Sequence, residues 1–164
     1  MTAYEKPSLE NGKVEEVLRK HFGPGVAEIA PMAGGNLSSV FSFVHEGKGY
    51  CVKFSDLAGA YETERYVSDL LSGQGIPFPK CYALDKTGPL TYLIMERIAG
   101  RNLGDCTEEE QLQQVPELIG ILMKLSEVEV KSTTGYGWIK PDGNGAYASW
   151  KEFAVAVNAE DQTG

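Results

Sequence analysis

The sequence predicts an α+β fold: a five-stranded antiparallel sheet with a helix packed on one face, an N-terminal helix and a C-terminal helical linker. Five strand-like runs are separated mostly by short turns, and such turns can join antiparallel neighbours but not parallel ones. Only one helical pattern falls between these runs, whereas a doubly wound parallel sheet alternates strands with helices. A length of 164 residues, 42% hydrophobic and 23% charged, is typical of a globular domain with its own core.

The N-terminal third contains one predicted helix and three predicted strands. Residues 9–22 place apolar side chains on one face, and Gly23-Pro24-Gly25 ends that pattern. The strand-like runs that follow are Val26–Met32, Val40–His45 and Lys48–Phe54. Because Glu46-Gly47 is a short turn between the second and third runs, these two runs are predicted to form a hairpin.

The middle of the chain is predicted to complete the sheet. A helix is expected from about Ala58 to Leu71, because Ser72–Gly75 contains the glycines that end helices. The last two strand-like runs are Cys81–Asp85 and Leu90–Arg97. The turn residues Lys86–Pro89 lie between them and predict a second hairpin.

The C-terminal part is predicted to be mainly helical. Thr107, with Glu110 three residues later, has the spacing of a capping box at a helix start. The apolar stripe of this 107–127 helix consists of Leu112, Val115, Ile119, Leu122 and Leu125. Pro116 is expected to kink or restart the helix. Residues 131–148 are rich in Gly, Ser, Thr and Asn and predict a loop, and residues 150–157 predict a short helix.

Composition excludes several classes of function. A net charge of −8 leaves no basic stripe to neutralise nucleic-acid phosphates. Three widely spaced cysteines form no C-x-x-C pair, which argues against a zinc site or a disulfide framework and favours a reducing compartment. The chain has no apolar run of about eighteen residues that could span a membrane, and no apolar signal segment at its start. We therefore expect a cytoplasmic protein that binds neither nucleic acid nor membrane.

Lys53 and Glu64 are the first candidate site residues. Glu64 shares a helical stripe with Ala60, Val67 and Leu71, so its carboxylate should point inward, where an unpaired charge is unfavourable. Lys53, in the preceding strand, is the obvious partner. Protein kinases use such a strand lysine and helix glutamate to hold the α/β-phosphates of ATP. The alternatives are an exposed edge-strand lysine and a surface helix glutamate.

A glycine-containing turn precedes the second strand and provides further candidates. These are Gly34, Gly35, Asn36, Ser38 and Ser39. Small residues let backbone N–H groups approach phosphate oxygens, and the two serines add hydroxyl donors. The turn is neither a Walker A loop nor a G-x-G-x-x-G motif. Its position one strand ahead of Lys53 favours phosphate binding, and an ordinary hairpin turn is the alternative.

Motifs along most of the chain resemble the N-terminal lobe of the aminoglycoside phosphotransferases, and look most like the enzymes that act on hygromycin B. Individually the motifs are short, but they occur in order across roughly residues 25–155. They are Phe41-Ser42-Phe43, Gly47–Lys53, Glu64-Arg65-Tyr66-Val67, Ile76-Pro77-Phe78-Pro79, Leu90-Thr91-Tyr92, Ala99-Gly100, Gly135-Tyr136-Gly137 and Trp150-Lys151-Glu152-Phe153.

The resemblance implies a protein-kinase-like small lobe that binds ATP. The Gly34–Ser39 loop would cover the phosphates, Lys53 would contact the α/β-phosphates, and Glu64 would orient Lys53. The backbones of Glu96 and Ile98 would meet adenine. The implied domains are an N-terminal helix at 1–24, the ATP-binding lobe at 25–100, and a linker helix with the start of a C-lobe at 101–164.

The resemblance also implies that catalysis needs more than this chain. The family's His-x-Asp-x-x-x-x-Asn loop and its later aspartate, which serve the acceptor hydroxyl and Mg²⁺, belong to a larger C-lobe, and no histidine follows His45. Mg²⁺ and an aminoglycoside acceptor would therefore require that C-lobe. We expect a truncated gene product, a designed fragment or half of a split enzyme.

Two other functions fit the same sequence. The chain could be a non-catalytic interaction module, or half of a split small-molecule kinase. In either case a second copy or a separate C-lobe chain would cover the apolar stripe of the 107–127 helix.

Overall fold

The computed structural model describes residues 4–33, 35–130 and 132–159. The helices in this part of the chain are α1 (Asn11–Phe22), α2 (Glu62–Ser72), α3 (Glu108–Ser126) and α4 (Trp150–Ala159), with short 3₁₀ turns at Gly23–Gly25 and Leu103–Asp105. The strands are β1 (Val26–Met32), β2 (Ser39–His45), β3 (Lys48–Ser55), β4 (Cys81–Thr87), β5 (Leu90–Glu96), β6 (Tyr136–Ile139) and β7 (Gly145–Tyr147).

The first five strands form one antiparallel sheet in the order β1-β2-β3-β5-β4. The predicted five-stranded sheet is therefore confirmed. β3 lies in the middle of it, so the alternative of Lys53 as an edge-strand lysine is wrong. Lys53 pairs with Val40 on one side and Leu93 on the other.

The main core lies between this sheet and α1. Val14, Val17 and Leu18 of α1 are buried against alternate residues of three strands. Those strand residues are Phe41, Phe43, Tyr50, Val52, Phe54, Tyr92 and Ile94. The two-residue period of a strand directs all of them to one face. The sequence predicted a helix on only one face of the sheet. The structure has helices on both faces, with α1 on this one.

The opposite face of the sheet carries α2. Ser68 anchors this helix: it is fully buried, its hydroxyl donates to the Pro79 carbonyl at 2.9 Å, and it accepts from the Cys81 N–H at 3.2 Å. Glu64 lies one helical turn before Ser68 and so shares its face. The hydrogen bonds of the buried Ser68 therefore hold one face of α2 against the sheet, and Glu64 lies on that face.

The predicted start of α2 at Ala58 is wrong, because residues 58–61 form turns and the helix begins at Glu62. Gly59 and Tyr61 have φ angles of +70° and +69°, and left-handed residues cannot continue a right-handed helix. β4 also runs two residues further than predicted, to Thr87, which shortens its turn to Gly88-Pro89.

The prediction of a loop over residues 131–148 is wrong, because β6 and β7 pair as an antiparallel hairpin within it. Gly143, at the turn, is buried, and a Cβ atom there would lie 2.2 Å from the Tyr66 hydroxyl oxygen. The hairpin therefore packs against α2. The predicted short helix after it is confirmed as α4.

The predicted capping box of α3 is confirmed. Thr107 Oγ1 accepts from the Glu110 N–H at 3.3 Å, and Glu110 accepts from the Thr107 N–H at 2.8 Å. The helix does not restart at Pro116 but runs without a break from Glu108 to Ser126. Its apolar stripe is exposed, with Leu112 at 63% and Leu122 at 55%. None of the helices in the described ranges is long and apolar enough to cross a membrane.

Candidate nucleotide-binding site

Lys53 and Glu64 form the ion pair that the sequence predicts. Lys53 Nζ lies 2.7 Å from Glu64 Oε2 and 3.0 Å from Oε1. The side chains are only 24% and 28% exposed, so water screens the pair less than it would a surface pair. An ammonium group has three protons. With two of them on Glu64, Lys53 keeps one proton for another acceptor.

Tyr61 is a third member of this site, and sequence reasoning missed it. Its ring centroid lies 5.2 Å from Lys53 Nζ, and its hydroxyl donates to Ser38 Oγ at 2.8 Å. Burial, the largest influence, raises the pKa of the Tyr61 phenol. The sequence carries no signal for this residue, because neither its left-handed backbone nor its contacts follow from a pattern.

The glycine-containing turn lies next to this pair, since β2 begins with Ser39 opposite Phe54, one residue past Lys53. Gly34 lies outside the described residues. Gly35 has a φ of +73°, which favours glycine, and Asn36 is exposed. Ser38 is connected to Lys53 through Tyr61, whose hydroxyl contacts Ser38 and whose ring contacts the Lys53 ammonium.

Ser39 differs from the other predicted turn residues. It is the first residue of β2, and its hydroxyl donates to the Pro7 carbonyl. Its one proton is therefore engaged by the N-terminal segment in this structure.

The N-terminal segment lies along the same turn, which the sequence did not indicate. Tyr4 donates a hydrogen bond to Asp56, just after β3, and Lys6 Nζ lies 3.4 Å from the Gly35 carbonyl oxygen. A cavity of about 430 Å³ between this segment and the turn is lined by Tyr4, Glu5, Lys6, Gly35 and Asn36.

The residues predicted to meet adenine lie at the C-terminal end of β5: Glu96 is its last residue, and Ile98 follows two residues later. The Glu96 N–H donates to the Lys80 carbonyl at 2.8 Å, and the Glu96 carbonyl accepts a weak hydrogen bond from the Cys51 thiol at 3.9 Å. Ile98 is 61% exposed and, within the described ranges, its backbone makes no hydrogen bond.

The spacing between the two parts of the site follows from the sheet register. Glu96 pairs with Tyr50 and Leu93 with Lys53, so Glu96 lies three residues, about 10 Å, along the sheet from the lysine. A cavity of about 690 Å³ is lined by Ile98, by three residues of the segment before α3 (Arg101, Leu103 and Cys106) and by residues of α3. Neither Lys53 nor Glu64 lines it. The structure thus brings Lys53, Glu64 and Ser38 together and places Glu96 and Ile98 further away, at the C-terminal end of β5.

No cluster of three or more His, Cys, Asp or Glu side chains that could hold a metal ion occurs among the residues described.

A family model and a curated relative both match most of this chain. Residues 28–162 match the phosphotransferase enzyme family, APH. Hygromycin-B 4-O-kinase from Escherichia coli is 27% identical over 154 residues, which are 93% of this chain and 45% of that kinase.

Solved structures of aminoglycoside phosphotransferases also match most of this chain with about half of their own length. The crystal structure of aminoglycoside phosphotransferase APH(4)-Ia has a TM-score of 0.81 and 26% identity, over 91% of this chain and 50% of that chain. A thermostable mutant of APH(4)-Ia, in a ternary complex with AMP-PNP and hygromycin B, has a TM-score of 0.79 and 27% identity, over 89% of this chain and 50% of that one. The chain therefore spans about half the length of these relatives.

Proposed function

Because the chain belongs to the phosphotransferase enzyme family, we propose that it is the ATP-binding N-terminal lobe of an aminoglycoside O-phosphotransferase with a hygromycin-like acceptor. The Lys53–Glu64 pair carries this proposal. It is a partly buried, bidentate strand-to-helix ion pair, the arrangement that positions a lysine on nucleotide phosphates in kinases. The AMP-PNP and hygromycin B in the ternary complex of the APH(4)-Ia mutant support the same assignment.

The phosphates of ATP would lie between Lys53 and the glycine-containing turn. Lys53 donates its remaining proton to an α- or β-phosphate oxygen, and Glu64 holds the ammonium in place. The turn residues Gly34, Gly35 and Asn36 offer backbone N–H groups, and Ser38 offers a hydroxyl. The Ser39 hydroxyl donates to the Pro7 carbonyl, so its contribution to phosphate binding requires that hydrogen bond to break.

Adenine would lie against the segment that follows β5. Its amino group donates a hydrogen bond and its neighbouring ring nitrogen accepts one. A carbonyl oxygen and an N–H two residues apart match this pattern, and the Glu96 carbonyl and the Ile98 N–H are the groups we assign. The exposure of Ile98 supports this placement.

The remaining steps of phosphate transfer belong, in this proposal, to the half of the relatives that this chain does not span. An aspartate for the acceptor hydroxyl and the ligands of Mg²⁺ are needed, and we place them, with most acceptor contacts, in a C-lobe. Residues 25–100 are the ATP-binding unit, residues 1–24 an N-terminal helical segment, and residues 101–164 the linker and the start of the C-lobe. The free thiols of Cys51, Cys81 and Cys106 suit a reducing compartment such as the cytoplasm.

Titration of the ¹⁵N-labelled chain with ATP tests the proposal. Affinity is expected to be low, because the C-lobe would supply the metal ligands and the floor of the cleft. Amide shifts should map to residues 34–39, Lys53 and residues 96–98. Shifts scattered over the α1 face of the sheet, or no shifts at millimolar ATP, would contradict it.

A second candidate function is association through α3, because the apolar side chains of this helix are exposed. Leu112, Ile119 and Met123 are 63%, 51% and 61% exposed, and an apolar patch of this kind marks an interaction surface. The partner would be a second copy or a separate C-lobe chain, and the latter would make the protein half of a split kinase. Sedimentation velocity should then show association that ATP and Lys53→Ala leave unchanged. A monomer at all concentrations, alone and with candidate C-lobes, would exclude it.

A further inference from the structure

We infer that Tyr61 is a positioning residue that orients Ser38 and Lys53 together for phosphate binding. The inference rests on the proposed function, because it assigns a role within the same ATP site. It differs in naming a residue outside the lysine–glutamate pair and the glycine-containing turn. Three independent features of Tyr61 support it: its backbone, its hydroxyl and its ring.

The backbone of Tyr61 is held in an unfavourable conformation. Its φ of +69° and ψ of −3° lie in the left-handed region, which bulky side chains rarely adopt. The residue directly precedes Glu62, the first residue of α2. Local strain of this kind persists only where surrounding contacts maintain it, and it concentrates at functional sites. The side chain of Tyr61 contacts Ser38 and Lys53 and also packs against the buried cluster of Cys81, Leu93 and Met95.

The hydroxyl of Tyr61 determines how Ser38 can act. It donates to Ser38 Oγ at 2.8 Å. A serine hydroxyl has two acceptor lone pairs and a single proton. Because Tyr61 occupies a lone pair, the Ser38 proton remains free for a phosphate oxygen. Consecutive hydroxyl hydrogen bonds also polarise each other, so the contact makes Ser38 a stronger donor.

The ring of Tyr61 restrains Lys53 from a second direction. The ammonium lies 5.2 Å from the ring centroid, within the distance of a cation–π contact. Glu64 holds the same ammonium through both carboxylate oxygens. With the ring and the carboxylate fixing its position, the remaining proton of Lys53 has a defined direction.

Tyr61→Phe tests the role of the hydroxyl, because phenylalanine keeps the ring beside Lys53. Loss of one hydrogen bond should weaken ATP binding about three- to tenfold. Adenosine has no phosphate, so its affinity should not change. Ser38→Ala should weaken ATP binding to a similar degree. The variant that carries both substitutions should bind ATP no less tightly than the single variant with the lower affinity. Isothermal titration calorimetry measures all these affinities, and thermal unfolding checks that each variant is folded.

Tyr82→Phe is the matched control. Tyr82 also has a lysine over its ring, Lys80 at 5.6 Å, but it is 43% exposed on β4, and its hydroxyl makes no hydrogen bond within the described ranges. Removal of this hydroxyl should leave both ATP and adenosine affinities unchanged.

The outcomes separate this inference from the proposed function. If the unsubstituted chain does not bind ATP, both fail. If it binds ATP and Tyr61→Phe binds equally well, only the inference fails. Equal weakening of ATP and adenosine, or fully additive effects of Tyr61→Phe and Ser38→Ala, would also overturn the inference.

Discussion

Replacement of Glu64 by glutamine is the most informative perturbation of stability, because it keeps the shape of the side chain and removes only its charge. Lys53 would then lose the carboxylate that lies 2.7 Å from its ammonium. Exposed ion pairs contribute about 0–1 kcal/mol, whereas breaking a fully buried pair destabilises by about 3–5 kcal/mol. With exposures of 24% and 28%, this pair lies between those limits. We expect a loss of about 1.5–3 kcal/mol in the free energy of unfolding.

Urea-induced unfolding followed by circular dichroism measures this loss. The matched control is Asp69→Asn on the same helix, since Arg65 and Asp69 also lie 2.7 Å apart but are 36% and 57% exposed. That substitution should change the free energy of unfolding by less than about 0.5 kcal/mol. If Glu64→Gln is no more destabilising than Asp69→Asn, the lysine–glutamate pair is not a partly buried interaction in solution, and the reasoning is refuted.

Three further predictions concern other parts of the fold. The hydrogen bond from Lys20, followed by the Lys86 N–H, lowers the pKa of Asp85 from 3.8 to about 2. Its carboxylate therefore stabilises the fold above about pH 4, and this stabilisation is lost as the pH falls toward 2. Asp85→Asn should remove the fall in melting temperature that this group causes between about pH 4 and pH 2. An unchanged dependence of the melting temperature on pH would contradict this role of Asp85. Thr107→Ala should destabilise the first turn of α3 by about 1 kcal/mol, seen as faster amide exchange there and not in α2. Gly143→Ala should loosen the β6–β7 hairpin, because the new Cβ would clash with the Tyr66 hydroxyl at a φ of +83°; unchanged amide protection of β6 would contradict this.

The sheet and the lysine–glutamate pair could be predicted because they depend on short-range patterns. Alternating apolar residues and short turns define the strands, and a charged residue on an apolar helical stripe requires a partner. The predicted stripe is one turn too long, because Ala60 lies in a turn before α2. The predicted inward direction of Glu64 still holds, because Glu64, Val67 and Leu71 all lie within α2 and share one face of it.

The features that sequence reasoning missed depend on long-range contacts or unusual backbone. No pattern places a tyrosine in the left-handed region, so the contact of Tyr61 with Ser38 could not be predicted. The β6–β7 hairpin carried a weak signal, the Asp142-Gly143 turn between aromatic segments, which the surrounding polar composition obscured. The placement of α1 on the second face depends on which side of the sheet Phe41 and Phe43 occupy, and local sequence does not determine this.

The dissociation constant of ATP for the Lys53→Met variant tests the central claim most directly. The matched control is Lys48→Met, because Lys48 is an exposed lysine on the same strand. Loss of a charge-assisted hydrogen bond should weaken ATP binding about 10- to 100-fold for Lys53→Met, with no change for Lys48→Met. Equal ATP affinities for the two variants would contradict a phosphate-binding role for Lys53.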